Sequence, residues 1–136
     1  MHAGPMTDTN APVNPAGMVG WFEIGTDDGK AARRFYGDVF GWTFADEAPA
    51  YTVIATGPGH PIQGGIRDTS LDRPDGTPAA YAMPYVLVAD VSATCDAVEA
   101  AGGKVAVGAT TTPDGLVWGM VDDPGGNTIG LFTPPA

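Results

Sequence analysis

The chain has few of the residues that form disulfides or bind soft metals. It contains one cysteine, Cys95, and two histidines, His2 and His60. A single cysteine excludes an internal disulfide framework, and these side chains are too few for a zinc-finger-like site. The low cysteine content fits a reducing compartment, and we expect a cytoplasmic protein.

Basic residues are also scarce. Six lysines and arginines stand against sixteen aspartates and glutamates, which gives a net charge of −10. Such a surface repels phosphate groups, so neither nucleic acid nor an anionic membrane is an expected partner. The sequence also lacks the run of about 18 apolar residues that a membrane span requires. We interpret the acidic residues as a solubilising surface, because they do not recur at the spacing of a calcium-binding loop.

The length predicts one folded domain behind a short tail. Residues 1–17 are rich in Pro, Asn, Thr and Gly and show no apolar periodicity, so we expect a flexible N-terminal tail there. Residues 18–136 form the predicted domain, which is long enough to bury one hydrophobic core.

The first half of this domain predicts a strand, a helix and three more strands, over about residues 18–67. A strand at 19–26 is followed by a helix that begins after Asp28 and ends at Gly41. Strands are predicted at 42–45, 51–55 and 62–67. Apolar residues of the helix lie along one stripe, at Ala31, Ala32, Phe35, Val39 and Phe40.

The second half, over about residues 81–134, repeats this order. A strand at 81–89 precedes a helix that begins after Asp90, and strands follow at 104–109, 116–122 and 128–133. An offset of 62 residues places Asp28 on Asp90 and Gly41 on Gly103. We therefore predict an α+β fold in which two βαβββ units form a half-open curved sheet around a pocket, with the helices outside.

Two segments resemble those of a known family. One is WFEIGTDD at 21–28, followed by RFYGDVFGW at 34–42, and the other is DPGGNTIGLF at 123–132. In this order they are similar to the opening and the closing hairpin of the vicinal oxygen chelate superfamily of glyoxalases, bleomycin resistance proteins and dioxygenases. The resemblance runs from about residue 18 to residue 134. It implies the fold, but fold alone does not choose among the activities that this superfamily supports.

The resemblance also implies metal-ligand positions, and here they hold residues that are not metal ligands. The expected His or Gln of the first unit is Trp21, and the expected His of the second unit is Met83. The expected carboxylate of the last strand is Gly130, and its counterpart in the first unit falls at Gly64 or Gly65. Divalent ions prefer carboxylate or imidazole ligands, so we expect no metal and no other cofactor. This pattern is similar to a subgroup of small glyoxalase-like proteins.

Alternation along the strands predicts which side chains line the pocket. We expect an aromatic-lined cavity for a flat or partly apolar small molecule, with the glycines leaving room for it. The predicted ligand-binding residues are Trp21, Gln63, Met83, Tyr85, Trp118 and Phe132.

Two side chains are candidates for proton transfer. Glu23 is the carboxylate nearest the lost ligand positions, and His60 lies in a Gly-Pro-Gly-His-Pro loop at the predicted rim. Each has a simpler interpretation: Glu23 would pair with Arg34 or Arg67, and His60 would be an exposed loop residue. Cys95 is interpreted as a packed thiol on the second helix.

Functions of three classes stay open. The first is a metal-free protein that binds a small molecule, in the manner of a sequestering or resistance factor. The second is a cofactor-free isomerase or lyase that uses Glu23 or His60 on a small carbonyl or aromatic metabolite, or a divalent-metal lyase with an unrecognised site. The third is a regulatory or structural dimer with a vestigial pocket. Exposed sheet edges and the resemblance imply a homodimer in each case.

Overall fold

The computed structural model describes residues 16–57, 59 and 63–136, which form two βαβββ units in sequence. The first unit consists of β1 (Val19–Thr26), α1 (Gly29–Phe40), β2 (Thr43–Ala48), β3 (Tyr51–Ala55) and β4 (Gln63–Asp68). The second consists of β5 (Tyr81–Leu87), α2 (Val91–Ala100), β6 (Lys104–Thr111), β7 (Val117–Asp122) and β8 (Thr128–Thr133). The predicted duplicated α+β fold is confirmed. The predicted tail lies almost wholly outside the described residues.

All eight strands belong to one sheet, in the order β2-β3-β4-β1-β5-β8-β7-β6. Within each unit the first strand pairs in parallel with the last, and β1 and β5 pair antiparallel to join the units. The sheet is open, with β2 and β6 as its edge strands. Neither helix is long and apolar enough to cross a lipid bilayer, and the described part of the chain has no others.

Both helices begin at an aspartate, as predicted. The carboxylate of Asp28 accepts a hydrogen bond from the amide of Ala31, and Asp90 does the same for Ala93. Each cap satisfies an amide that has no partner within the helix, which typically stabilises a helix by about 1 kcal/mol. Helix α1 ends at Gly41, whose φ of 74° is the left-handed conformation that glycine adopts without strain.

The two helices cover the same face of the sheet but pack differently. In the second unit, Val91 and Cys95 of α2 are buried against Val121 and Leu131. In the first unit no residue of α1 is buried, and the helix contacts the core through Ala32 and Tyr36. The sheet face opposite the helices is called the inner face below.

Apart from Ala32, the apolar stripe of α1 does not face the core. Phe35, Val39 and Phe40 are each more than half exposed. The ring of Tyr36 takes the place between helix and sheet, where it stacks on Trp42 with ring centroids 5.2 Å apart. The spacing of apolar residues did not predict this arrangement, because Tyr36 was not counted among them although its ring is largely apolar.

Several predicted strand ends are also wrong by one to three residues. Strand β2 spans Thr43–Ala48 rather than 42–45, β5 ends at Leu87 rather than 89, and β6 continues to Thr111. Pairing explains the longer strands, since β2 pairs with β3 up to Ala48 and β6 pairs with β7 up to Thr111. Strand ends depend on partner strands, which local composition does not reveal.

Candidate functional site

The first strands of the two units meet at the centre of the inner face. Antiparallel pairing of β1 and β5 sets Trp21 opposite Tyr85, Glu23 opposite Met83, and Gly25 opposite Tyr81. Because alternate residues of a strand share one face, Trp21 and Glu23 lie beside Tyr81, Met83 and Tyr85 on the inner face.

The Glu23 carboxylate is the centre of a buried polar cluster. Glu23 is only 2% exposed to solvent. Oxygen Oε2 accepts hydrogen bonds from the hydroxyl of Tyr81 at 2.6 Å, the hydroxyl of Tyr85 at 3.2 Å and Nε of Arg67 at 3.4 Å. A buried carboxylate loses the hydration that it has in the unfolded chain, and these donors compensate for that loss.

Arg67 connects this cluster to the loop between the two units. Its Nη1 donates to Oδ2 of Asp72 at 2.6 Å, a shorter contact than the one it makes with Glu23. The guanidinium lies 5.0 Å from the ring centroid of Trp118 and 5.9 Å from that of Tyr51. The ion pair between Glu23 and Arg67, one of the two predicted alternatives, is confirmed. Arg34 instead lies exposed on α1.

Three tyrosines of the inner face are held in the protonated form. Burial raises the pKa values of Tyr51, Tyr81 and Tyr85, and the negative charge of Glu23 raises them further. Trp21 Nε1 donates to the hydroxyl oxygen of Tyr51 at 2.9 Å. The three phenols therefore keep their protons at neutral pH, and Tyr81 and Tyr85 donate theirs to the Glu23 carboxylate.

Tyrosine side chains occupy the space above the two inner-face glycines. A Cβ on Gly65 would overlap the Tyr51 hydroxyl oxygen, and a Cβ on Gly130 would lie 2.5 Å from the ring of Tyr85. The expectation that these glycines leave room for a ligand is therefore wrong. Gly64 faces the helix side, where a Cβ would meet the ring of Phe22. Gly65 is thus the inner-face counterpart of Gly130.

An aromatic rim surrounds a buried floor on this face. The floor consists of Met83, Tyr85 and Met120, which are 3%, 5% and 0% exposed. Half-buried side chains packed against the floor form the rim, which comprises Trp21, Tyr81, Trp118 and Phe132. Flat, partly exposed rings above a closed floor are suited to stacking against a planar molecule.

The structure brings together most of the predicted site residues. Trp21, Met83, Tyr85, Trp118 and Phe132 all belong to this inner-face cluster, and Glu23 lies beside it. Gln63 is exposed at the first position of β4. His60 lies outside the described residues. Cys95 is buried on α2 as a free thiol, in agreement with its interpretation as a packed residue, and burial raises its pKa.

Neither Met120 nor Asp72 was predicted as a member of the site. Met120 forms part of the floor, and its position two residues after Trp118 on a predicted strand was a usable signal. Asp72 lies in a loop without any recognisable motif, so nothing in the sequence pointed to its contact with Arg67.

No cluster of three or more His, Cys, Asp or Glu side chains suited to a metal ion occurs among residues 16–57, 59 and 63–136. The inner-face positions implied by the family resemblance hold Trp21, Gly65, Met83 and Gly130. Of these, only the methionine offers a donor atom, and a thioether is a poor ligand for Mg²⁺, Mn²⁺ or Zn²⁺.

Comparison with protein families finds a match over residues 18–131 to the Glyoxalase/Bleomycin resistance protein/Dioxygenase superfamily. A glyoxylase-like domain-containing protein of Didymella fabae is 31% identical over 133 residues, covering 88% of this chain and 95% of that protein. CFP32 of Mycobacterium tuberculosis, named as a candidate glyoxylase, is 31% identical over 120 residues. That match covers 85% of this chain and 45% of CFP32, so the chain spans about half the length of this relative.

Solved structures of low sequence identity share the fold. Methylmalonyl-CoA epimerase from Mycobacterium tuberculosis superposes with a TM-score of 0.62 at 19% identity, over 93% of each chain. A variant of the Streptomyces coelicolor methylmalonyl-CoA epimerase, in complex with 2-nitronate-propionyl-CoA, gives a TM-score of 0.58 at 15% identity, over 90% of this chain and 100% of the other. At these identities the likeness concerns the fold alone.

Proposed function

Because the chain belongs to the Glyoxalase/Bleomycin resistance protein/Dioxygenase superfamily, we propose that it binds a flat, partly apolar small molecule on the inner face without a metal ion. The observation that carries this proposal is the aromatic rim of Trp21, Tyr81, Trp118 and Phe132 over a closed floor. Rings of this kind provide stacking area at a low cost in conformational entropy, because few torsions are frozen on binding.

The charges of the site support an uncharged or weakly polar ligand. Glu23 and Arg67 lie against each other, and Arg67 also pairs with Asp72. A charged ligand group that displaced Glu23 or Arg67 from their ion pair would leave a buried charge unpaired, at a cost of about 3–5 kcal/mol. The half-buried Tyr81 and Trp118 lie next to this cluster. The indole N–H of Trp118 is a donor for a ligand carbonyl, and the Tyr81 oxygen, whose proton is donated to Glu23, is an acceptor for a ligand hydroxyl.

Three observations support metal-independent binding. Glycine stands at the two inner-face positions where a carboxylate is expected, and tyrosine side chains already occupy the space above them. The carboxylate of Glu23 is engaged by Tyr81, Tyr85 and Arg67. A divalent cation bound there would also lie beside a guanidinium, whose like charge opposes it. The residues present do not fit the metal that the fold family implies.

A thermal-shift screen of small aromatic and carbonyl compounds tests the proposal, with each compound measured in chelator and in added divalent metal. A ligand present at about 100 times its Kd stabilises the folded state by about 2.7 kcal/mol. We expect the same rise in Tm under both conditions. Elemental analysis of the purified protein should find less than stoichiometric metal, and a tightly held divalent ion that survives dialysis would overturn metal independence.

A matched pair of phenylalanine variants locates the binding site. Phe132→Leu removes a rim ring, whereas Phe44→Leu removes a ring on the helix side of the sheet. We expect the first variant to weaken binding roughly tenfold or more through lost stacking area, and the second to leave the Kd unchanged at equal folded fraction. Equal loss in both variants would show that the ligand binds elsewhere.

A second candidate function is proton transfer at Glu23, favoured by the 2.6 Å contact between its carboxylate and the half-buried Tyr81 hydroxyl. Tyr81 provides a link through which a proton passes between the carboxylate and a molecule on the rim. An isomerase or lyase of this kind should lose turnover in Glu23→Gln and in Tyr81→Phe while each variant still binds the substrate. Undiminished turnover in Glu23→Gln would limit Glu23 to its structural role.

A further inference from the structure

The registers of the sheet relate the two halves of the inner face position by position. In each unit a glycine of the last strand, Gly65 or Gly130, pairs with the first strand on one side and with the third strand on the other. An aromatic residue stands two positions before the partner of this glycine on the third strand, Tyr51 in the first unit and Trp118 in the second. Because residues two apart on a strand share a face, Tyr51 and Trp118 are equivalent inner-face positions of the duplicated units.

The side chain of Tyr51 crosses the inner face of the first unit. Strand β4 lies between β3, which carries Tyr51, and β1. The Tyr51 hydroxyl nevertheless reaches β1, where its oxygen accepts a hydrogen bond from Trp21 Nε1 at 2.9 Å. On the way it occupies the space that a Cβ on Gly65 would need. The first-unit half of the inner face is therefore covered by a side chain of the protein itself.

The equivalent Trp118 takes a different course in the second unit. Its ring is half-buried in the rim, and the guanidinium of Arg67 lies 5.0 Å from the ring centroid. The nearest atoms to a Cβ on Gly130 belong to the ring of Tyr85, which is part of the floor. The second unit thus keeps its aromatic ring at the edge of the inner face, whereas the first unit lays its ring across the middle.

We propose that Tyr51 sets the size of the ligand by closing the first-unit half of the inner face. The ligand then lies over the floor of Met83, Tyr85 and Met120, all of which belong to the second unit, and does not extend over β3 and β4. This inference rests on the proposed function, and it restricts the ligand class to short planar molecules.

The surroundings of Tyr51 hold it in this closing position. Its hydroxyl is tied to Trp21, and the guanidinium of Arg67 lies 5.9 Å from its ring centroid. Gly65 does not have the positive φ that would require glycine, so its backbone accommodates other residues. The close approach of the Tyr51 hydroxyl is what excludes a side chain at residue 65. Glycine at this position therefore serves the closure by Tyr51.

Binding of p-cresol, which has the shape of a tyrosine side chain, tests whether Tyr51 fills a ligand-sized space. Tyr51→Ala removes the phenol ring and leaves a cavity above Gly65. Engineered cavities of roughly 150 Å³ in protein interiors bind benzene. We expect isothermal titration calorimetry to give a Kd for p-cresol that is roughly tenfold or more lower for Tyr51→Ala than for the wild type. Equal Kd values for the two chains would overturn the proposal.

Two further variants locate the bound p-cresol. Tyr51→Phe is the matched control, because it keeps the ring, and it should bind p-cresol no more tightly than the wild type. Gly65→Leu added to Tyr51→Ala places a new side chain in the vacated space and should return the Kd to the wild-type value. Far-UV circular dichroism and the Tm of each variant establish that it is folded. Tyr51→Val replaces Tyr51→Ala if the alanine variant does not fold.

The size preference is measured with compounds that bind the wild type in the thermal-shift screen and with analogues extended by one fused benzene ring. We expect Tyr51→Ala to improve the affinity for the extended analogue over its parent by roughly tenfold, whereas Tyr51→Phe keeps the wild-type preference. An unchanged preference in Tyr51→Ala would overturn this inference and leave the proposed function standing. If no compound bound the wild type while p-cresol bound Tyr51→Ala as expected, the proposed function would fail and the closure by Tyr51 would be supported.

Discussion

In the first unit helix α1 buries none of its residues, whereas in the second unit α2 buries Val91 and Cys95 beneath it. The inner face divides in a similar way. The first unit contributes the charged side chains Glu23 and Arg67, and the second contributes the whole floor of Met83, Tyr85 and Met120. Two units with one topology have thus taken different physical roles.

This difference shows how the duplicated fold is held together. The carboxylate of Glu23 in the first unit accepts hydrogen bonds from Tyr81 and Tyr85 of the second. The polar group of one unit is therefore satisfied by hydroxyls of the other, across the pairing of β1 with β5. A buried ion pair alone contributes little net stability, but removal of one partner is costly because the remaining groups stay buried and unpaired.

The largest effect is expected from breaking this polar link. Glu23→Leu should lower the free energy of unfolding by about 3–5 kcal/mol, since it leaves the hydroxyls and part of the guanidinium without their acceptor. Urea denaturation measures the change. Glu99→Leu is the matched control, because Glu99 is exposed on α2, and it should change stability by less than about 0.5 kcal/mol. Equal effects in the two variants would contradict the structural importance of the cluster.

The next effect sharpens the comparison of the two helices. Val91→Ala should cost about 2–3 kcal/mol because Val91 is 1% exposed, whereas Val39→Ala should cost less than about 0.5 kcal/mol because Val39 is 56% exposed. Urea denaturation measures both changes. The gain in helix propensity is the same in both variants and cancels. A similar loss in both would mean that α1 is packed as tightly as α2.

A smaller effect is expected where a tyrosine covers a glycine. Gly130→Ala places a Cβ at 2.5 Å from the Tyr85 ring, and Gly108→Ala is the control because no atom lies within 4 Å of its Cβ. The first should cost about 1–3 kcal/mol through overpacking, and the second close to zero. Near-UV circular dichroism should report movement of the Tyr85 ring in the first variant alone. If Gly130→Ala changed neither the stability nor the near-UV spectrum, the Tyr85 ring would be free to move away from residue 130.

The smallest expected effect is the contribution of the inner-face tyrosines to the pH dependence of stability. It becomes visible only under alkaline conditions. The pKa values of Tyr51, Tyr81 and Tyr85 are raised by burial and then by Glu23, above the value of about 10 in the unfolded chain. The folded state thus binds these protons more tightly. Its stability should be complete below about pH 10 and should fall as the pH rises further, because the unfolded chain loses the protons first.

Ultraviolet absorbance of phenolate against pH measures this behaviour. The three inner-face tyrosines should ionise together with unfolding, and the double variant Tyr81→Phe, Tyr85→Phe should reduce the loss of stability between about pH 10 and the unfolding transition. Reversible ionisation of all three in the folded protein near their ordinary pKa would contradict their burial.

Much of the fold followed from local signals. The aspartates before each helix, the glycine after α1 and the alternation of the strands predicted the order of all ten elements and the duplication. The exposed stripe of α1 could not be predicted, since spacing shows which side chains share a helix face but not which face meets the sheet. The predictions of the strand ends were wrong for a related reason, because each end depends on the partner strand.

The site was predictable to a lesser degree. Strand alternation placed Trp21, Met83 and Tyr85 on one face correctly. Simple charge chemistry pointed to Arg34 or Arg67 as the partner of Glu23, and the structure shows Arg67. The filling of Gly65 and Gly130 by tyrosines was not predictable, since it depends on the register between neighbouring strands. The contact of Asp72 with Arg67 depends on the path of a loop.

The sequence by itself determined the caps, the strand alternation, the net charge and the absence of ligating side chains at the positions implied by the resemblance, because each is a property of residue type and spacing. Tertiary structure alone decided that Glu23 is enclosed by Tyr81, Tyr85 and Arg67, and that Phe35 and Val39 face outward. These features arise from pairing between segments distant in the chain. Their geometry exists only once β1 and β5 have joined the two units.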